Sequence, residues 1–296
     1  MHNHGHSHNH ATSSQRIGWA FFLNVTFTVI EFIGGWLTNS TAIMADAVHD
    51  LGDSLSIGSA WLLDRLSNKQ ADNAYTYGYR RLSLFGALIN GLVLIAGSVW
   101  VLLSAIPRLL DPVMPHTEGM LLLAVLGVAV NGYAAYRLSQ GKTLNEKVLN
   151  WHLLEDVLGW VAVLIVASIM QFVDWPILDP LLSIGFTLFI LVNVARNLWA
   201  TSRLFFQAAP DSEILKNIEQ SLLSLAKVKG VHHLHLWSLD GESHVLTVHV
   251  ETSALQNIAE YSELKTLIND KLATHDLAHT TIEIELDAEL CRDEKE

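Results

Sequence analysis

Basic residues are scarce in this chain and cysteine is nearly absent. Its 296 residues include 18 Lys and Arg against 30 Asp and Glu, a net charge of −12, and a single cysteine, Cys291. The acidic balance argues against nucleic acid as a partner, because phosphate binding needs clustered Lys and Arg. One thiol excludes disulfides within the chain and any cluster built from several cysteines. Charge of either sign is short: 16% of residues are charged and 50% are hydrophobic, where soluble domains usually carry about 25% charged. That is a membrane composition. The shortage is uneven, since residues 1–210 hold 11 basic and 13 acidic side chains while residues 211–296 hold 7 and 17. A charge-poor apolar part thus precedes a small acidic part suited to water.

A bilayer core requires about 20 apolar residues per helix. Residues 17–37 meet this with one charge, Glu31, and residues 82–107 with none; residues 119–136 and 175–195, continuing towards 206, follow, the latter with Asp179 near one end. Residues 41–66 and 148–173 are long enough but polar in places. The expectation is an α-helical membrane protein with six transmembrane helices over residues 16–208. A His-rich disordered tail over residues 1–15 precedes them, a small domain over 209–290 follows, and 291–296 form an acidic tail. Residues 1–16 lack a basic start and several spans follow, so they do not read as a signal peptide. Positive charge sets orientation. Arg16, Arg65, Lys69, Arg80, Arg81, Arg137, Lys142, Lys147, Arg196 and Arg203 fall on one side, and Arg108 alone on the other. A multi-pass protein of the inner cell membrane, with both termini in the cytoplasm, is expected.

The acidic end alternates between helical and strand periods. Ile214, Ile218, Leu222 and Leu225 recur at helical spacing, and residues 258–273 form a second helix. Residues 231–239 and 244–251 alternate apolar with polar around Asp240-Gly241, a hairpin signal, and residues 280–286 alternate as a third strand. The order αββαβ makes this a small α+β domain.

Ionisable groups inside membrane spans are costly and usually mark function. The second span carries Asp46, His49, Asp50 and Asp53 along one helical stripe, and the fifth carries His152, Glu155 and Asp156. Both contain His-x-x-x-Asp: His49 with Asp53, and His152 with Asp156. Each pair projects from one helix face, and two such faces in contact would supply two imidazoles and two carboxylates, a tetrahedral set suited to zinc. Two carboxylates also cancel the charge of a divalent ion. A single His–Asp pair of this kind is equally what a structural hydrogen bond needs; the duplication is what points to metal. Asp50 and Glu155 are expected to face a water-filled vestibule or to pair with Arg or Lys. Glu31, Asn24, Asn90 and Asn131 are expected to hydrogen-bond between helices.

The runs STAIMADAVHDLGDSLSIGSAWLLDRLS, YTYGYRRLSLFGALINGLVL, LNWHLLEDVLGWVAVLIVASIM and DWPILDPLLSIGFTLFIL resemble the cation diffusion facilitator family, in particular its bacterial zinc/cobalt/cadmium-resistance branch. The resemblance implies a transport site of His49, Asp53, His152 and Asp156, a homodimer, a cytoplasmic ferredoxin-like domain and exchange of metal for protons. It also implies a regulatory metal site in the cytoplasmic domain at His232, His249, Glu283 and Glu285, although relatives often carry histidine where Glu283 stands. The same residues also suit the exposed polar faces of strands. Some relatives bind metal in the loop after the second span; here residues 72–79 hold no histidine, which argues against that extra site.

His2, His4, His6, His8 and His10 alternate through the first ten residues, a composition that suits weak, exchangeable metal capture without a packed fold. The whole reads as a carrier exporting divalent metal, chiefly Zn2+ with Co2+ and Cd2+ as candidates, and not as an enzyme. A metal-selective channel is the principal alternative. A membrane metallohydrolase lacks a motif such as His-Glu-x-x-His, and a metal-sensing receptor lacks an output signature.

Overall fold

Short polar turns interrupt the apolar runs and mark where each helix stops. The computed structural model describes residues 7–67, 69–139, 144–287, 289–291 and 293. In chain order these form α1 (Ser7–Thr38), α2 (Thr41–Ser67), α3 (Leu82–Ala105), a one-turn α4 (Pro107–Leu110), α5 (Thr117–Ser139), α6 (Leu144–Phe172) and α7 (Leu178–Phe205). Then come α8 (Ser212–Leu223), β1 (Val228–Ser238), β2 (His244–Thr252), α9 (Ile258–Leu272) and β3 (Leu277–Glu285). They divide into two units: the described residues up to Leu62 with Gly86–Leu198, and Leu63–Phe85 with Trp199 onward.

Among the described residues, five helical stretches are long and apolar enough to cross a membrane: Phe21–Thr38, Leu82–Leu110, Thr117–Ser139, Asn150–Phe172 and Leu178–Phe205. The sixth long helix, α2, has 27 residues and is less apolar because Asp46, Asp50 and Asp53 fall within it. The protein is therefore a helical membrane protein. α1 begins at Ser7, inside the segment read as a tail, since extending an existing helix is far cheaper than nucleating one. His8 and His10 fall in its first turn, while His2, His4 and His6 lie outside the described residues.

Helix ends are held by specific contacts. α1 stops at Asn39, whose φ of 55° is left-handed, and Arg108 donates to the Asn39 carbonyl and side-chain oxygen, both at 2.6 Å. α2 starts under Asp179 of α7, whose carboxylate accepts from the backbone N–H of Thr41 and Ala42. The interior is close-packed around Phe27, Ile43, Met120 and Trp160. A Cβ on Gly127 of α5 would lie 2.2 Å from the Trp160 ring of α6, so only glycine allows these two helices to approach so closely.

In the second unit the sheet order is β1-β2-β3, with β1 and β2 antiparallel and β2 and β3 parallel. The hairpin turns on Gly241 at φ 105°, while the Asp240 carboxylate accepts from the Glu242 and Ser243 backbone. Asp211 caps α8 and Asn257 caps α9 through side-chain oxygens. The helices cover one face of the sheet, burying Ile218, Leu222, Leu264 and Ile268 against Leu246, Val248 and Val250. The other face carries His249 and Glu283, paired in register, with His232 opposite His249 on β1. The α2–α3 loop belongs to this same unit. Tyr77 packs edge-on against Trp237 and His279, and Arg80 meets Asp240 at 3.7 Å and the Ser243 hydroxyl.

Candidate metal centre

α2 and α6 bring the two His-x-x-x-Asp units face to face. Asp53 Oδ2 lies 2.9 Å from His152 Nε2 and 3.7 Å from His49 Nδ1. Asp156 reaches His49 Nε2 and His152 Nε2 at 3.9 Å each. The imidazole centroids are 5.6 Å apart and their planes nearly perpendicular, at 81°. His49, Asp53 and His152 each offer a donor atom within 4.8 Å of the others; Asp156 stands slightly wider, with both oxygens buried and unpartnered. That arrangement leaves carboxylate lone pairs aimed where a cation would meet both rings. A cavity of about 310 Å³, walled by Asp46, Glu155, Phe186 and Phe189 among others, opens onto His49 and Asp156.

The remaining acidic residues do not all sit as expected. Glu155 lines the cavity, but Asp50 is buried rather than facing a vestibule. The reason is helical phase: one residue beyond His49, Asp50 turns towards α1 and lies beside Glu31. Asn24 does bridge helices, donating to the Ser54 hydroxyl at 3.1 Å and the Asp50 carbonyl. Glu31 of α1 is fully buried and meets the side chains of Asp50 on α2 and Trp160 on α6, so it too lies between helices.

A second cluster lies on the uncovered face of the sheet. Glu285 Oε1 is 2.9 Å from His249 Nδ1 and 3.1 Å from His232 Nε2. Cys291 Sγ is 3.5 Å from His249 Nδ1, and these four side chains offer donor atoms within 4.8 Å of one another. Burial alone would raise the Glu285 pKa, but hydrogen bonds from Cys291, His249 and His232 outweigh it and hold the carboxyl below its ordinary value. Glu283 stands apart from this set, 3.7 Å from the other ring nitrogen, His249 Nε2. A bulge in β1 between His232 and His235 leaves His233 at φ 45° and brings its ring 5.0 Å from His249. Bulges re-aim side chains in this way.

Residues 19–205 match the cation efflux transmembrane domain, and residues 210–287 match the cytoplasmic domain of cation efflux proteins. The chain belongs to the cation efflux family. It is 30% identical to a cadmium, cobalt and zinc/H(+)-K(+) antiporter of Bacillus subtilis, over 96% of this chain and 93% of that one. It is 32% identical to the metal cation efflux system protein CzcD of Cupriavidus metallidurans, over 95% and 90%. With the zinc transporter ZitB of Pectobacterium atrosepticum it shares 31% identity over 95% and 88%.

Within this cation efflux protein, two residues at the sites escape sequence reasoning. Asp179 reads as a flaw near the start of a span, yet it anchors the helix that carries His49 and Asp53; only its buried neighbours reveal this. Cys291 reads as part of an acidic tail. No spacing rule links it to His249, 42 residues earlier, and the contact exists because the chain folds back after β3.

Proposed function

We propose that this cation efflux protein exports divalent metal, chiefly zinc, from the cytoplasm in exchange for protons, with His49, Asp53, His152 and Asp156 as the transport site. The observation that carries this reading is the meeting of both His-x-x-x-Asp units across α2 and α6, with Asp53 within 4 Å of both imidazoles. Two imidazoles and two carboxylates suit tetrahedral zinc, and cobalt and cadmium are its nearest competitors. The site works as a carrier and performs no bond chemistry. Metal binds imidazole only in its neutral form, and histidine ordinarily titrates near about 6.5. Protons arriving from the outer side therefore compete with zinc for the same donors, and their loss towards the cytoplasm restores the site for loading. Alternate exposure of the site to the two sides couples the flows.

The distribution of Lys and Arg supports a multi-pass inner-membrane protein with both termini cytoplasmic. The cytoplasmic domain joins two copies as a homodimer. With 17 acidic against 7 basic residues over 211–296, two such domains repel, and bound divalent metal offsets that repulsion. Metal at His232, His249 and Glu285 then regulates transport without being carried. The His-rich start captures metal weakly near the entrance.

Zinc uptake into inside-out vesicles, with and without an imposed pH gradient, tests the whole. Accumulation against a zinc gradient that collapses with the pH gradient is expected. Flux indifferent to pH and always downhill would make the protein a channel.

A further inference from the structure

We infer that Cys291 is a thiolate ligand of the metal site in the cytoplasmic domain, completing a His232–His249–Glu285–Cys291 set that favours thiophilic ions. The inference deepens the regulatory reading above and rests on it. Convergence carries the assignment: four side chains offer donor atoms within 4.8 Å of one another. A tetrahedral zinc ion with nitrogen, oxygen and sulfur donors sets neighbouring donors about 3.3–3.6 Å apart. Here the separations are 2.9 Å for His249 Nδ1 to Glu285, 3.1 Å for His232 Nε2 to Glu285, and 3.5 Å for Cys291 Sγ to His249 Nδ1. The two shortest are hydrogen-bond lengths that need to open only slightly around an ion, and His249 and Glu285 are more than nine-tenths buried.

The same geometry removes Glu283 from the ligand set. Its carboxylate lies 3.7 Å from His249 Nε2, as does that of Asp293. One ring cannot give both nitrogens to one ion, and Nδ1 is the nitrogen that faces Cys291 and Glu285. Glu283 and Asp293 instead flank the Nε2 side of the ring, which leaves the Nδ1 side to the metal. Cys291 reaches the site through a turn after β3, where Leu286 donates its N–H to the Glu289 side chain and accepts from the Glu289 backbone. A sulfur donor among nitrogen and oxygen shifts preference towards soft ions, so cadmium and zinc should bind ahead of cobalt, and magnesium not at all.

Because Cys291 is the chain's only cysteine, any thiolate-to-metal charge-transfer band in the ultraviolet must come from it. The full-length protein in detergent is titrated with Cd2+, following that band, and bound ions are counted by equilibrium dialysis. The expected result is a band saturating at one ion per chain. It should vanish in Cys291→Ser and His232→Ala, with cadmium affinity at this site weakened at least about tenfold in each, as for other losses around a metal ligand. A bound ion lost in His232→Ala but giving no sulfur band would overturn the thiolate assignment and leave the regulatory site standing. No ion dependent on His232 would overturn both. A band that survives His232→Ala would place the thiol on some other metal and also refute the inference.

Discussion

Asp179 and Thr41 are joined twice: the Asp179 carboxylate accepts from the Thr41 backbone N–H at 2.8 Å and from its hydroxyl at 2.7 Å. The Ser40 hydroxyl at 2.5 Å and the Ala42 N–H at 3.2 Å complete the cluster. A buried anion thus sits where the first N–H groups of α2 would otherwise lack partners, and it also faces the positive end of the helix dipole. Asp179→Ala strands these donors away from water. A loss of about 2–4 kcal/mol is expected, read as a lower thermal midpoint of the purified protein. Asp179→Asn, which keeps one acceptor, should lose less.

The two aspartates of the transport site should not tolerate removal. Asp53→Ala or Asp156→Ala deletes a donor and leaves a divalent ion under-neutralised inside the membrane. Zinc flux in proteoliposomes should fall to background in each, whereas Glu155→Ala, on the cavity wall, should retain most of it. Full flux in Asp53→Ala would show that the ligands are misassigned.

Replacing His49 by Asp keeps four donors but exchanges an imidazole for a carboxylate, which intrinsically competes less well for protons. The pH at which zinc binding is half lost should move down, and discrimination against other divalent ions should relax. An unchanged pH profile in His49→Asp would mean that the protons travel elsewhere.

Glycine packing makes a sharper contrast. Gly127 faces Trp160 at a distance that no Cβ can occupy, while a Cβ on Gly132, five residues along the same helix, meets nothing within 4 Å. Gly127→Ala should cost about 1–3 kcal/mol through overpacking. Gly132→Ala should be neutral or slightly stabilising, since alanine is the better helix former. Thermal denaturation of the two variants side by side tests both.

Much of the architecture is legible from periodicity, because a membrane helix advertises itself by length and a ligand pair by its spacing of four. The spans around Leu82–Ala105 and Thr117–Ser139 follow from apolar length alone, and His49 with Asp53 from the pitch of the helix. Less is legible where the outcome depends on a neighbour distant in sequence. Period-two alternation expects His232 and His233 on opposite faces of β1, but the bulge at His233 brings both rings near His249. Nor does any local pattern foretell that Glu31 lies buried beside Asp50, or that Cys291 returns to the sheet.

Asp72 offers a pH test outside the membrane. Hydrogen bonds from the Tyr79 hydroxyl, the backbone of Tyr75 and Ala74, and Lys69 hold its carboxyl well below the usual carboxylate range. A depressed folded-state value means that the stabilisation is fully present above the unfolded value of about 3.9 and is lost only as pH falls through the lower folded value. Hydrogen exchange at the Ala74 and Tyr75 amides, which donate to Asp72 at 2.9 Å, should stay slow down to about pH 4. In Asp72→Asn these amides should exchange faster already at pH 7.

The attachment of the α2–α3 connection to the C-terminal unit bears on how the gene could be cut. Loops between membrane helices are ordinarily where a chain accepts insertions and nicks without consequence. This one is held by Tyr77 against Trp237 and His279 and by Arg80 against Asp240, so lengthening it would pull apart contacts inside a folded unit. Conversely, a break between Arg81 and Leu82 would leave Tyr77 and Arg80 on the first polypeptide fastened to the sheet on the second. Two polypeptides divided there and produced together have a ready-made clasp by which to find each other, with the sheet acting as the splint.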